Sequence, residues 1–136
     1  MKDKIFIGDT YEHQFEFQQS DVIKFAEASG DINPIHLDPN FASKSIFGRT
    51  IVHGFLGGSV FSKVFGTEFP GEGTIYLKQD MVFLKPMFVN KIYIAKFRVT
   101  EVFAEKNRAK VSTEIIDLNN EVIIKGEALI KHESVL

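Results

Sequence analysis

Residues 10–18 alternate without a break, Tyr11, His13, Phe15 and Phe17 falling on one side and Glu12, Gln14, Glu16 and Gln18 on the other. A period of two is that of a strand with one buried face. His13, on the apolar side, reads as a core histidine with its hydrogen bond satisfied. The spacing then turns helical. Val22, Phe25, Ala26 and Ser29 share a face, Ser20 caps with Asp21 in the first turn, and Gly30 supplies a left-handed end. Asp38 followed by Pro39 starts another short helix, reaching to about residue 45. From 54 to 64 the chain is apolar almost all round, with only Ser59, Ser62 and Lys63 polar, which predicts a buried helix that stops at Gly66. Gly57 and Gly58 each cost such a helix roughly 1 kcal/mol relative to alanine, so a sheet, a partner or a ligand is expected to approach them closely.

Beyond residue 70 the period returns to two. Residues 74–83 set Ile75, Leu77, Gln79, Met81 and Phe83 against Tyr76, Lys78, Asp80 and Val82. Residues 91–103 form a long strand with Tyr93, Ala95, Phe97 and Val99 on its more apolar face. Residues 108–118 oppose Ala109, Val111, Thr113 and Ile115 to Arg108, Lys110, Ser112 and Glu114. Asn119-Asn120 turns the chain into a last strand over 121–131. A strand, helices and then four strands as a meander predict an α+β fold in which an antiparallel sheet wraps around the buried helix. One sheet covers only part of a helix that is apolar on all sides. A second subunit or the preceding helices must supply the rest, and a homodimer is expected.

Composition narrows the function. At 136 residues, with 44% hydrophobic and 25% charged, the chain is expected to fold as a single domain over 1–136. Fourteen phenylalanines and no tryptophan suit a core or a slot for an acyl chain. A net charge of −2 with dispersed Lys and Arg argues against a nucleic-acid partner. The absence of cysteine rules out disulfides, thiol catalysis and thiolate metal sites, and the four histidines lack metal-ligand spacing, so no metal or redox cofactor is expected. No signal-like apolar run opens the chain, and residues 51–66 are interrupted by His53, Ser59, Ser62 and Lys63. The expectation is a cytoplasmic protein with no membrane partner.

The chemistry concentrates in Asp31-Ile-Asn33-Pro34-Ile-His36 and in Ile51-Val-His53-Gly54. Asp31, Asn33 and Pro34 are ordinary turn formers, and His36 and His53 can simply satisfy backbone groups. Equally, a carboxylate and an imidazole five residues apart, near the start of an apolar helix, supply an acid, a base and backbone N–H donors for an anion.

The run from Phe25 to His36, followed by Ala42, resembles the hydratase motif of the MaoC-like (R)-specific enoyl-CoA hydratases. Gly48-Arg-Thr-Ile-Val-His-Gly54 resembles the second signature of that family. Ser62 on the following helix and Pro70-Gly-Glu-Gly-Thr-Ile-Tyr-Leu77 agree with it, while Phe55 stands where Met is common. The resemblance implies a hot-dog fold, a homodimer, and reversible addition of water to trans-2-enoyl-CoA to give (R)-3-hydroxyacyl-CoA. Coenzyme A is then part of the substrate and no cofactor is needed. Asp31 as base and His36 as proton donor are implied, with the roles open to sharing. Gly54 would offer its N–H to the thioester oxygen and Asn33 would shape the turn. Ser62 would hydrogen-bond near the pair or back to its own helix. Phe47, Phe55, Phe61 and Phe65, with Val64 and Leu77, are candidates for the acyl pocket.

Three rivals remain. A hot-dog thioesterase or an acyl-carrier-protein dehydratase carries its catalytic group on the central helix, but residues 54–66 contain no Asp, Glu, Asn or Gln. A catalytically silent acyl-CoA-binding module is expected to have lost Asp31 or His36, and both are present. Within the hydratase reading, chain length, physiological direction and carrier, coenzyme A or acyl carrier protein, stay open.

Overall fold

The structure, a computed structural model, describes residues 3–136. In chain order its elements are β1 (Thr10–Glu16), α1 (Gln19–Ser29), α2 (Pro34–Leu37), α3 (Pro39–Ser43), α4 (Gly54–Thr67), β2 (Ile75–Gln79), β3 (Val82–Phe83), β4 (Ile92–Phe103), β5 (Arg108–Asp117) and β6 (Val122–Lys131). The strands make one antiparallel sheet in the order β1-β4-β5-β6-β2, with β3 also on β6.

The apolar positions of the long strands share one face: Tyr93, Phe97 and Val99 of β4, Val111 and Ile115 of β5, and Ile124, Ala128 and Ile130 of β6 are all buried. Against it lies α4, which buries Leu56, Val60, Phe61, Val64 and Phe65. Phe61 meets Phe97 edge-on at 5.7 Å, and Phe65 lies 5.2 Å from both Phe97 and Tyr76. Of the three partners expected at the helix glycines, the sheet side is the one seen. A Cβ on Gly57 would stand 3.1 Å from both Ile124 and Met87, and one on Gly58 2.5 Å from the Met81 sulfur.

Several expectations change. Only β4, β5 and β6 form a meander, because β1 already occupies the free edge of β4 (Tyr11 opposite Phe97, Phe15 opposite Tyr93), so the 75–83 segment lies on the outer side of β6. That segment is two short strands, with a bulge between Tyr76 and Lys78. The bulge reverses the faces. Tyr76, Gln79 and Met81 turn inward, the Tyr76 hydroxyl donating to Gln79 and the Gln79 amide to Thr113 Oγ1 at 3.0 Å, while Ile75, Leu77, Val82 and Phe83 are exposed. Helix α1 is capped from Gln18 rather than Ser20, because the Asp21 carboxylate reaches back to the Gln18 N–H at 2.8 Å. Helix α4 passes through Gly66 and ends where the N–H groups of Glu68 and Phe69 converge on the Val64 carbonyl, both at 2.8 Å. Nor is α4 covered on all sides, for Phe55, Ser59, Ser62 and Gly66 lie exposed along one stripe. His13 is half-buried at the surface rather than in the core, but it is satisfied as expected, accepting from Lys63 Nζ at 3.0 Å and lying 3.4 Å from Glu68, which ties β1 to the end of α4.

The edge beyond β6 depends on Gly126. A Cβ there would lie 1.8 Å from the backbone oxygen of Asp80, whose own N–H donates to the Glu127 carbonyl at 3.1 Å. Gly126→Ala is therefore expected to destabilise the fold by about 1–3 kcal/mol, read as a lower denaturant midpoint with the loss of amide protection concentrated in β2 and β3.

Candidate active site

Local hydrogen bonds build the acidic segment. Gly30 ends α1 with φ 80°, and Ser29 Oγ accepts the Asp31 N–H at 3.1 Å. Asp31 Oδ1 then accepts the Asn33 N–H at 3.2 Å, and Asn33 Oδ1 accepts the Ile35 N–H at 3.3 Å. Asn33 thus caps α2, with Pro34 at its first position, and that single turn carries His36. The His36 carbonyl is held by Gln19 Nε2 at 2.9 Å.

The histidines come from two directions. His36 is 8% exposed, and its Nδ1 donates to the Ile51 carbonyl at 2.8 Å, which leaves Nε2 of the neutral ring as a lone pair. His53 stands immediately before α4, where its carbonyl accepts the Gly57 N–H at 3.0 Å. Its buried ring donates from Nε2 to the Asp31 carbonyl at 3.0 Å and stacks on His36 with centroids 3.9 Å apart and planes 26° from parallel. Both imidazoles do bond backbone carbonyls, as the plainer sequence reading allowed. They also converge: a carboxylate oxygen of Asp31 and one ring nitrogen of each histidine lie within 4.8 Å of one another. A water donating both hydrogens at about 2.8 Å spans about 4.4 Å between its two acceptors, so the group matches one bridging water.

Burial pushes the His36 imidazole below its ordinary value; the bond to the Ile51 carbonyl works the other way, the His53 ring lowers it further, and the Asp31 carboxylate raises it. Next to this group lies Gly54, the first residue of α4, whose N–H has no acceptor within the helix and sits at its positive end. A cavity of about 490 Å³ opens here, lined by His36, His53, Gly54, Phe47 and Phe55, with Met87 deeper in.

Five sequence-predicted site residues lie elsewhere. Phe61 and Phe65 are not on the cavity wall; both point from α4 into the sheet and are packed against Phe97. Ser62 is exposed, eight residues and so about 12 Å along the helix from Gly54; it does not reach Asp31 and His36 of its own chain. Val64 shares the core with Phe61, and Leu77 is 40% exposed outside the cavity. His53 is the residue the sequence reading undervalued, and its position directly before a glycine-rich apolar helix was the available signal. Although sequence spacing held no ligand pattern, Asp31, His36 and His53 are the described residues that could hold a cation. Imidazoles bind metals in the ring plane, and near-parallel stacked rings direct those lone pairs alongside one another rather than to a common point.

A family model described as "MaoC like domain" matches residues 5–120, which contain every residue of this group. The chain belongs to the MaoC-like family. It is 41% identical over 115 residues to the (R)-specific enoyl-CoA hydratase of Aeromonas caviae, covering 85% of this chain and 86% of that protein. It is 40% identical over 116 residues to the 3-hydroxybutyryl-CoA dehydratase of Methylorubrum extorquens, covering 85% and 73%. The solved structure of the A. caviae (R)-hydratase, described as involved in PHA biosynthesis, superposes with a TM-score of 0.90 at 38% identity over 94% of this chain and 97% of that one. The MaoC-like chain thus has the hot-dog arrangement of an antiparallel sheet around a central helix. No helix among its described residues is long and apolar enough to cross a membrane.

The buried His36 also makes stability depend on pH. Its folded value lies below the unfolded one of about 6.5, so the unfolded chain binds the extra proton, and stability present above that pH is lost as pH falls. Thermal melts from about pH 7 down to about pH 5 are expected to show a fall in melting temperature that is shallower in His36→Gln.

Proposed function

We propose that this protein is an (R)-specific enoyl-CoA hydratase, adding water reversibly to trans-2-enoyl-CoA through Asp31 and His36. The observation that carries this reading is the meeting of an Asp31 carboxylate oxygen and a His36 ring nitrogen within 4.8 Å, beside the Gly54 end of α4 and an apolar cavity of about 490 Å³. The named activities of the relatives support the same reaction and its stereochemistry.

Water is held by two acceptors, the Asp31 carboxylate and the lone pair on His36 Nε2. As its oxygen bonds to C3, one of the two takes a proton and the double-bond electrons move onto the thioester oxygen. The Gly54 N–H and the helix dipole stabilise that charge. The group that took the proton returns it to C2, so one water is consumed and the site ends as it began; dehydration is the same path reversed. In this reading His36 is not a standing proton donor, because its one N–H is committed to the Ile51 carbonyl. No metal or cofactor takes part.

The assay is loss of enoyl absorbance with crotonyl-CoA and a longer trans-2-enoyl-CoA, with chiral analysis of the product and the matching acyl-carrier-protein thioesters run beside them. Asp31→Asn and His36→Ala are each expected to lower turnover by on the order of a hundredfold or more while staying folded. Near-normal turnover in both would overturn the assignment, and release of free thiol without hydration would indicate a thioesterase.

We propose further that the working form is a homodimer. The exposed stripe of Phe55, Ser59, Ser62 and Gly66 on α4 and the apolar outer side of β2, with Ile75 and Leu77 at 51% and 40% exposure, are surfaces a second copy would cover. The protein is expected to sediment at twice its 15.4 kDa chain mass, and Leu77→Glu to shift it toward the monomer. A fully active wild-type monomer at low concentration would remove this part of the proposal.

A further inference from the structure

His53 makes contacts that neither turn chemistry nor the two-residue mechanism requires. It is 2% exposed, yet it carries two polar ring atoms into the interior. One of them, Nε2, donates to the backbone carbonyl of Asp31 at 3.0 Å; the other, Nδ1, is buried with no hydrogen-bond partner. An unpartnered buried nitrogen costs on the order of 1–3 kcal/mol, so a histidine is an expensive way merely to fill this space. The ring lies between elements that must stay in register. It stacks on His36 at 3.9 Å, it has Phe25 of α1 at 4.8 Å, and its own carbonyl closes the first turn of α4 through Gly57.

We propose that His53 is the positioning residue of the site, its Nε2–H fixing the Asp31 segment and its ring fixing and shielding His36, so that carboxylate, imidazole and the Gly54 N–H keep one spacing. The inference rests on the hydratase reading for its kinetic part only. Its physical part follows from the contacts. With Asp31 pinned by its carbonyl, the carboxylate is aimed by backbone geometry together with the bond its Oδ1 accepts from the Asn33 N–H. Stacked on the His53 ring, His36 meets a face that gives no compensation for a positive charge. The ionisable groups facing His36 are Asp31 from the segment before α2 and His53 before α4; Lys85, which lines the same cavity, is ion-paired to Glu121 at 3.1 Å.

Two substitutions separate the contributions. His53→Phe keeps a ring against His36 and deletes the donor to Asp31; His53→Gln keeps an amide donor and deletes the stacked ring. With trans-2-enoyl-CoA, His53→Phe is expected to lower kcat by ten- to about a hundredfold with little change in KM, as a misplaced catalytic group does, and His53→Gln to recover part of that loss. In His53→Gln the acidic limb of the kcat/KM profile is expected to move to higher pH, since a neighbour that holds His36 neutral has gone. Nitrogen-detected NMR titration of the His36 imidazole reads the same shift without any substrate. An unchanged His36 midpoint in His53→Gln, or full kcat per folded molecule in His53→Phe, would overturn the inference, because a residue that only filled the core would lower the melting temperature and leave both untouched. If the wild type turns over no enoyl thioester, the function reading fails separately and the titration alone decides the role of His53. If His53→Phe does not fold, His53→Gln with the titration suffices.

Discussion

The close seating of α4 on the sheet is the constraint from which the rest of the molecule follows. It is possible only because Gly57 and Gly58 present no side chain where Met87, Ile124 and Met81 press in. Two glycines in a helix cost roughly 1 kcal/mol each in propensity, and what offsets that cost is the burial of Leu56, Val60, Phe61, Val64 and Phe65 against strands that are themselves apolar on that face. Seating the helix this deeply also fixes its first turn. Val52 is bonded to Met87 at 2.8 Å immediately before it, so the backbone reaches His53 and Gly54 in one conformation. The apolar cavity and the positive helix end are therefore consequences of the packing, not additions to it.

The second consequence is electrostatic. Two imidazoles stacked in the interior cannot both be charged without a large desolvation loss, and each donates to a backbone carbonyl: His36 to Ile51, His53 to Asp31. Burial holds the His36 ring below its ordinary value against the pull of the Ile51 carbonyl, and that carbonyl fixes which of its nitrogens carries the N–H. For His36 this turns a residue usually thought of as an acid into a hydrogen-bond acceptor on the cavity side. A carboxylate and a neutral imidazole are two acceptors, and the small molecule that satisfies two acceptors at once is water. The arrangement favours addition of water over direct attack by a side chain on an acyl carbon.

Much of this was legible in the sequence because it is written in local patterns. Period-two runs located the strands, Asp38-Pro39 and Gly30 located helix ends, and the Asp31–His36 motif with Gly54 pointed to the candidate site. What was not legible depended on distant groups. The bulge at Tyr76 reverses the faces of β2 because Asp80 must reach Glu127 across the glycine at 126, a demand made by another strand. Residues 75–83 left the meander because β1 had taken the edge of β4. Phe61 and Phe65 looked like pocket residues because apolar helix positions do not say which side faces a sheet and which a cavity. His53 looked like a backbone-satisfying histidine and is one; only the fold shows that the backbone it satisfies belongs to Asp31.

Ser62 marks the boundary of what a single chain can complete. It sits on α4 in register with Phe55 and Ser59, on the stripe that the sheet leaves bare, and makes no contact with the Asp31–His36 group of its own chain. A helix this apolar is unlike the amphipathic surface helices of a finished globular domain, which carry charge on their outer face; here only Lys63, drawn toward His13 and Glu68, does so. The same side of the molecule offers β2 as an edge strand with Ile75 and Leu77 outward and Lys78 as its one charge. Two exposed apolar features on one side of the chain are economical only if one event covers both. The second copy proposed above would do so in a closed, self-complementary way, where an unrelated partner would need matching features of its own. In the proposed dimer the serine would serve the assembly before the chemistry, and any part it took at a reacting centre would be set by how the two helices face each other.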